Sequence, residues 1–170
     1  RQEPYDLTVF QVGNSSHHDY LWPYLFRYPG LTVLHDAHLH HARAAALLRT
    51  LRTDEYRAEF ASNHPEANAD IAELAVAGFD THLLYDWPMT RLVARASRLV
   101  AVHSPVLADQ MIASIPDARV TAIHLGHGVP LSTADASAAG LRARARHGIS
   151  TDMVVFGCFG GLSPDKRLPQ

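Results

Sequence analysis

Short apolar runs that stop abruptly in small or polar residues, each with a helical pattern directly behind it, are what most narrows the folds open to this chain. The sharpest case is Leu31-Thr-Val-Leu-His-Asp-Ala-His-Leu-His-His41, where the apolar run ends at His35-Asp36 and helix is expected at once. A run this short is right for a buried strand and too short for a helix. Strands separated by helices cannot close as tight hairpins, because parallel neighbours need a crossover. The pattern therefore predicts an α/β chain with a parallel sheet and right-handed crossovers.

Taken in order, the same reading predicts strands over residues 6–12, 31–34, 99–102, 120–124 and 153–159. The first ends in Gly13-Asn14-Ser15-Ser16, a loop composition. Helix is expected over 18–28, with Pro23 confined to its first turn and Pro29-Gly30 ending it. Behind His35, Asp36 is expected to be the N-cap of a helix whose Ala44, Leu47, Leu48 and Leu51 pack on the sheet, with Arg43, Arg49 and Arg52 largely elsewhere. Further helices are expected over 55–63 after a Thr53-Asp54 cap, over 67–77 before Gly78, and over 89–96. Ser104 should cap a helix with Pro105 in its first position and Ala108, Met111, Ile112 and Ile115 as its buried stripe. Residues 131–140 read as a linker, and 141–147 as a basic helix end closed by Gly148.

Composition closes off several function classes. With 47% apolar and 19% charged residues the chain is expected to fold around a core. Its 15 basic and 17 acidic side chains give no pull toward nucleic acid. The single cysteine, Cys158, leaves no disulfide framework, so a reducing, cytoplasmic location is expected. No apolar run approaches the ~20 residues of a membrane span and no signal peptide is visible, so no integral membrane segment is expected. The chain opens on Arg1 and stops at Gln170 just after a strand and loop have begun, and is expected to be a piece of a longer protein.

His35 is the first candidate for chemistry, since the carboxyl ends of parallel strands face the ligand crevice. A merely hydrogen-bonded strand-end histidine is the other reading, and the same holds for His103. The histidines and aspartate between His35 and His41 also invite a metal reading, with His38 and His41 on one helix face. Against that, His40 and His41 continue the stripe of Ala44 and Leu47, and no metal is assigned. Gly160 and Gly161 with Lys166 suit a phosphate, or else a turn with a solvated lysine; their spacing fits neither Walker A nor the dinucleotide fingerprint. Gly128 fits a loop position needing positive φ. No Gly-x-Ser-x-Gly elbow is present.

Taken together, Val33-Leu34-His35-Asp36, then Val100-Ala-Val-His-Ser104, then Leu125-Gly-His-Gly-Val-Pro130 and finally Gly160-Gly-Leu-Ser-Pro-Asp-Lys-Arg167 resemble a family 4 glycosyltransferase of the GT-B fold, in order and spacing. The resemblance implies a Rossmann-like parallel sheet with flanking helices, truncated at both ends. Residues 1–130 would be part of the amino-terminal, acceptor-side domain, 131–150 a linker and connecting helix, and 151–170 the first strand and loop of the donor-side domain. It implies retaining transfer of a sugar from a nucleotide-sugar to an acceptor hydroxyl, with no cofactor and no essential metal, on a soluble or membrane-surface acceptor. By position His35 matches the histidine facing the donor sugar, Lys166 the lysine on the donor diphosphate with Arg167 beside it, and Gly128 the interdomain loop. Gly160 and Gly161 fall in the donor loop, and Gly13 and Asn14 at a neighbouring strand end are placed against the acceptor. Gly161 stands where the family has arginine, Arg167 where it has glycine and Pro130 where it has aspartate. The family's amino-terminal glycine-rich loop and its Glu-x7-Glu region have no counterpart here, so the fragment alone is expected to be inactive. A metal-dependent hydrolase built on the His35 to His41 cluster and a non-catalytic nucleotide-sugar-binding protein are the alternative readings.

Overall fold

The computed structural model describes residues 5–79, 82–126 and 128–157. It divides after Leu125 into two compact units, the second beginning at Gly126.

The first unit holds four strands, β1 (Val9–Val12), β2 (Leu31–Leu34), β3 (Leu99–Val102) and β4 (Val120–Ala122). They form one parallel sheet in the order β1-β2-β3-β4. A 3-10 turn (Ser16–Leu21) and helix α1 (Trp22–Arg27) join β1 to β2. The long connection from β2 to β3 carries α2 (His40–Leu48), α3 (Thr53–Asn63), α4 (Asp70–Val76), α5 (Leu83–Asp86) and α6 (Arg91–Ala96), and α7 (Pro105–Ser114) joins β3 to β4. This is the expected α/β architecture, a Rossmann-like parallel sheet flanked by helices. No helix among the described residues is long and apolar enough to cross a membrane.

Sequential strand order has a packing consequence. When every crossover is right-handed and every step is to the same side, the connecting helices fall on one face. The main core has that form: Phe10, Val12, Leu34, Val100 and Val102 meet Trp22 and Leu25 of α1, Val93 and Ala94 of α6, and Ala108, Met111 and Ile115 of α7. On the alternate positions Val9 is 50% exposed, Leu99 36% and Ile123 39%, so the other face is only partly covered. The inserted helices make a second core from Ala44, Leu47, Tyr56, Phe60, Ala72, Ala75, Leu84 and Met89.

Several local expectations are corrected. The helix behind β2 begins at His40, not after Asp36, and its N-cap position is Leu39. Leu51 lies beyond the helix end with φ of 60° and is 86% exposed, so it takes no part in the apolar face. Arg43, expected away from that face, is buried against Glu59. Thr53 is the first residue of α3 rather than its cap. Ile112 is 45% exposed, because the buried side of α7 is set by Ala108, Met111 and Ile115 alone. The Ser104 cap and Pro105 are as expected, with Ser104 Oγ accepting from Leu107 N–H at 3.4 Å.

In the second unit the expected linker is helical, since α8 runs Thr133–His147. Its first half is alanine-rich, and alanine is the best helix former. Ser132 caps it by accepting from Asp135 N–H at 3.1 Å. Gly148 ends it in the left-handed region at φ 63°, as its position predicts, and Ile149 N–H closes onto Arg144 O at 2.9 Å. Strand five is not formed over residues 153–157: these have no strand pairing and Val154 is 78% exposed, and a strand without a neighbour has no ladder to join. Cys158, Gly160, Gly161, Lys166 and Arg167 lie outside the described residues.

Candidate functional site

Register builds the site. Val12 pairs with Leu34 and Leu34 with Val102, so the residues that follow, Gly13, His35 and His103, form a row across three strand ends. The ladder extends into that row, with His35 N–H donating to Val12 O at 2.9 Å. Adjacent strands lie about 4.8 Å apart, which is the spacing needed to bring two side chains face to face. The His35 and His103 rings accordingly sit with centroids 5.3 Å apart and planes 30° from parallel.

His35 is exposed, and its Nε2 donates to Gln11 Oε1 at 2.7 Å. An amide oxygen only accepts, so this bond puts the ring proton on Nε2 and leaves the lone pair on Nδ1. Gln11 also accepts at its backbone oxygen from His18 Nδ1 at 2.9 Å. One glutamine thus orients two imidazoles. Sequence reasoning passed over Gln11 and His18; the signal for Gln11 was a polar side chain within an otherwise apolar strand.

His103 differs from His35 in having no hydrogen-bond partner among the described residues. Both its ring nitrogens are shielded from solvent and lack a hydrogen bond among the described residues. A buried polar group left in that state costs about 1–3 kcal/mol.

Asn14, expected with Gly13 at the acceptor, makes hydrogen bonds to Asp36 and Ala42. Asp36 Oδ2 accepts from Asn14 N–H at 2.7 Å, so its carboxylate ties two strand ends together rather than capping its own helix. A side chain at Gly13 would come within 3.0 Å of His18 Nε2 and 3.2 Å of Asp36 Oδ2, so glycine is what lets them close. Asn14 Oδ1 accepts from Ala42 N–H at 2.8 Å, and Ala42 is the third residue of α2. The cap of α2 therefore comes from the loop after β1. Asn14→Ala is expected to cost about 1 kcal/mol of stability, read as a lower urea midpoint with an unchanged slope.

The other histidines of the cluster separate. His40 is fully buried, its Nδ1–H donating to Trp87 O at 2.7 Å and its Nε2 accepting from Tyr56 Oη at 2.7 Å. Burial lowers its pKa to about 4, the Trp87 carbonyl opposing and His64 and His41 adding to the fall. His41 lies edge-on to the Tyr85 ring at 4.8 Å. Among the described residues no group of three or more His, Cys, Asp or Glu side chains could hold a metal ion. Gly128 belongs to the second unit, where a side chain would meet nothing within 4 Å. The donor-loop residues Gly160, Gly161, Lys166 and Arg167 are outside the described residues, so their placement adds nothing to this site.

What the strand ends present is an exposed imidazole of fixed tautomer, a second imidazole without a hydrogen bond among the described residues, and a polar rim of Gln11, Asn14 and Asp36. No family model, curated protein or solved structure matches the chain.

Proposed function

We propose that the chain is part of a retaining glycosyltransferase of GT-B type, moving a sugar from a nucleotide-sugar to an acceptor hydroxyl. The observation that carries this reading is His35, an exposed imidazole at the carboxyl end of β2 whose ring is held by Gln11. The parallel sheet supports it, because ligands of such sheets bind outside the carboxyl ends of the strands. The order of the four sequence motifs supports it as well.

The barrier to such a transfer lies in breaking the anomeric C–O bond, so charge must be neutralised on the departing diphosphate while the acceptor oxygen is oriented. Lys166 and Arg167 would serve the first need. His35, with Nδ1 free to accept, would hydrogen-bond a hydroxyl of the donor sugar and fix it for attack. Gly160 and Gly161 would admit the phosphates to the backbone N–H groups.

The test is release of nucleoside diphosphate by the full-length protein from UDP-, GDP- and ADP-sugars with metal chelated and hydroxyl acceptors supplied. Turnover with one donor is expected. His35→Ala should then lower kcat by about 100-fold, the order seen when one oriented polar group is removed from a reacting centre. Melting should be unchanged, because the side chain is exposed. Equal turnover by wild type and His35→Ala would remove His35 from the mechanism, and absence of turnover with every donor would overturn the transferase reading.

A further inference from the structure

We propose that His103 is a second sugar-contacting residue of this site, taking one hydroxyl of the same ring whose neighbouring hydroxyl His35 takes; this rests on the transferase reading above. His35 has its Nε2–H committed to Gln11. The Ser104 hydroxyl is committed to the N-terminus of α7 through Leu107 N–H. Across the sheet, continuing the β3–β4 register places the apolar Ile123 beside His103. None of these neighbours answers the imidazole, and both its nitrogens stay unpaired among the described residues.

A neutral imidazole carries one N–H and one lone pair, and a hydroxyl can both donate and accept. Whichever nitrogen of His103 meets it, and in either tautomer, a hydroxyl can bond that nitrogen. Two imidazoles with centroids 5.3 Å apart on adjacent strand ends suit a ligand that bears hydroxyls on neighbouring carbons, as a sugar ring does. Both nitrogens are shielded as the ring stands, so in this proposal the ring turns on binding and the ligand hydroxyl replaces the missing partner. A buried polar group without a partner calls for an explanation, and a ligand that supplies the partner is one.

The test uses His103→Phe in the full-length protein, with the nucleotide-sugar that the wild type turns over and its monodeoxy analogues. Phenylalanine keeps the ring contact with His35 and removes both nitrogens. The expected result has opposite signs in two readouts: the melting temperature stays level or rises, since an unpaired buried polar group has gone, while the donor KM rises at least about tenfold. One monodeoxy donor should show no difference between wild type and variant, which identifies the hydroxyl that His103 reads. An unchanged donor KM in an active enzyme would overturn this inference alone. So would a fall in melting temperature with the same loss on every donor, which is the signature of a structural histidine. A wild type that turns over no nucleotide-sugar would overturn both this inference and the reading beneath it.

Discussion

Acidification from pH 7 to pH 5 is expected to remove about 2 kcal/mol of folding stability through His40 alone, and about 3 kcal/mol by pH 4. In the folded chain His40 stays neutral down to about pH 4, chiefly because burial penalises its charged form. In the unfolded chain it takes up a proton near its ordinary value of 6.5. Between those limits the unfolded state binds the proton and the folded state does not, so the contribution is full above 6.5 and is lost as the pH falls. His64, whose pKa burial also lowers, acts in the same direction. Glu55 and Glu73 are held down by Arg52 and Arg57, and their contribution is lost as the pH falls from the ordinary carboxylate value toward their lowered ones. Asp19, whose pKa burial raises, acts with the opposite sign, gaining stability as the pH falls toward its ordinary value. His40 and His64 therefore both make the chain less stable as the pH falls below 6.5. Urea unfolding at pH 7, 6 and 5 should show the wild-type slope, and His40→Gln should be less stable at pH 7 but much flatter. Tyr56→Phe deprives Nε2 of its donor while leaving the imidazole buried, so it should lose stability at pH 7 and keep the slope. If His40→Gln fell as steeply as wild type, the acid sensitivity would lie elsewhere.

His40 also shows where sequence reasoning ends. Its place in the stripe of Ala44 and Leu47 was readable from helical periodicity, and with it the doubt about a metal cluster. Its two partners were not, because Tyr56 and Trp87 come from α3 and from the loop after α5. The same division runs through the caps. Ser104 answers Leu107 three residues on, and a local rule finds it. The first turn of α2 is answered by Asn14, and that of α6 by Asn63, whose Oδ1 accepts from Leu92 N–H at 3.0 Å. Neither α2 nor α6 has a side-chain cap of its own. No sequence window contains such a bond, which is why Asp36 was given a role that Asn14 performs.

The candidate site divides in the same way. His35 stood out because an apolar run stops on it, a signal local to four residues. His103 sits at an equivalent strand end, but only the β2–β3 register shows that the two rings meet. Periodicity gave the strand ends one at a time, and pairing decided which of them are neighbours. For Leu51 and Ile112 the pattern placed an apolar side chain on the right side of a helix, whereas burial depends on how far the partner surface extends. The linker over residues 131–140 was misread for a simpler reason: alanine and serine mark flexible segments by composition, yet alanine favours helix wherever a cap such as Ser132 starts one.

Arg43→Met is expected to be the most damaging single substitution, at about 3–5 kcal/mol, because it strands a carboxylate that has left water. Arg43 donates to Glu59 through Nε at 2.6 Å and through Nη2 at 2.8 Å. The two side chains are only 10% and 14% exposed. The guanidinium also lies 4.1 Å from the centroid of the Trp22 ring, with Asp19 Oδ1 at 3.9 Å. It therefore fastens α2 to α3 and to the turn that leads into α1. Breaking a buried pair from one side costs far more than exchanging both partners for apolar ones, since the cost is that of the orphaned charge. The double substitution Arg43→Met, Glu59→Leu should thus recover most of the loss. Arg43→Lys should fall between, keeping the charge but giving up the paired hydrogen bonds and the planar contact with Trp22. Arg57 with Glu73 is the control: it has the same two-bond geometry at 2.6 and 2.9 Å, but its side chains are 36% and 52% exposed. Arg57→Ala should leave stability nearly unchanged, since water replaces the pair. Thermal and urea unfolding of these variants separate burial from geometry as the source of the effect. Were Arg43→Met no worse than Arg57→Ala, the Glu59 carboxylate would have to be reaching solvent, and the ion pair would add little to the fastening of α2 to α3.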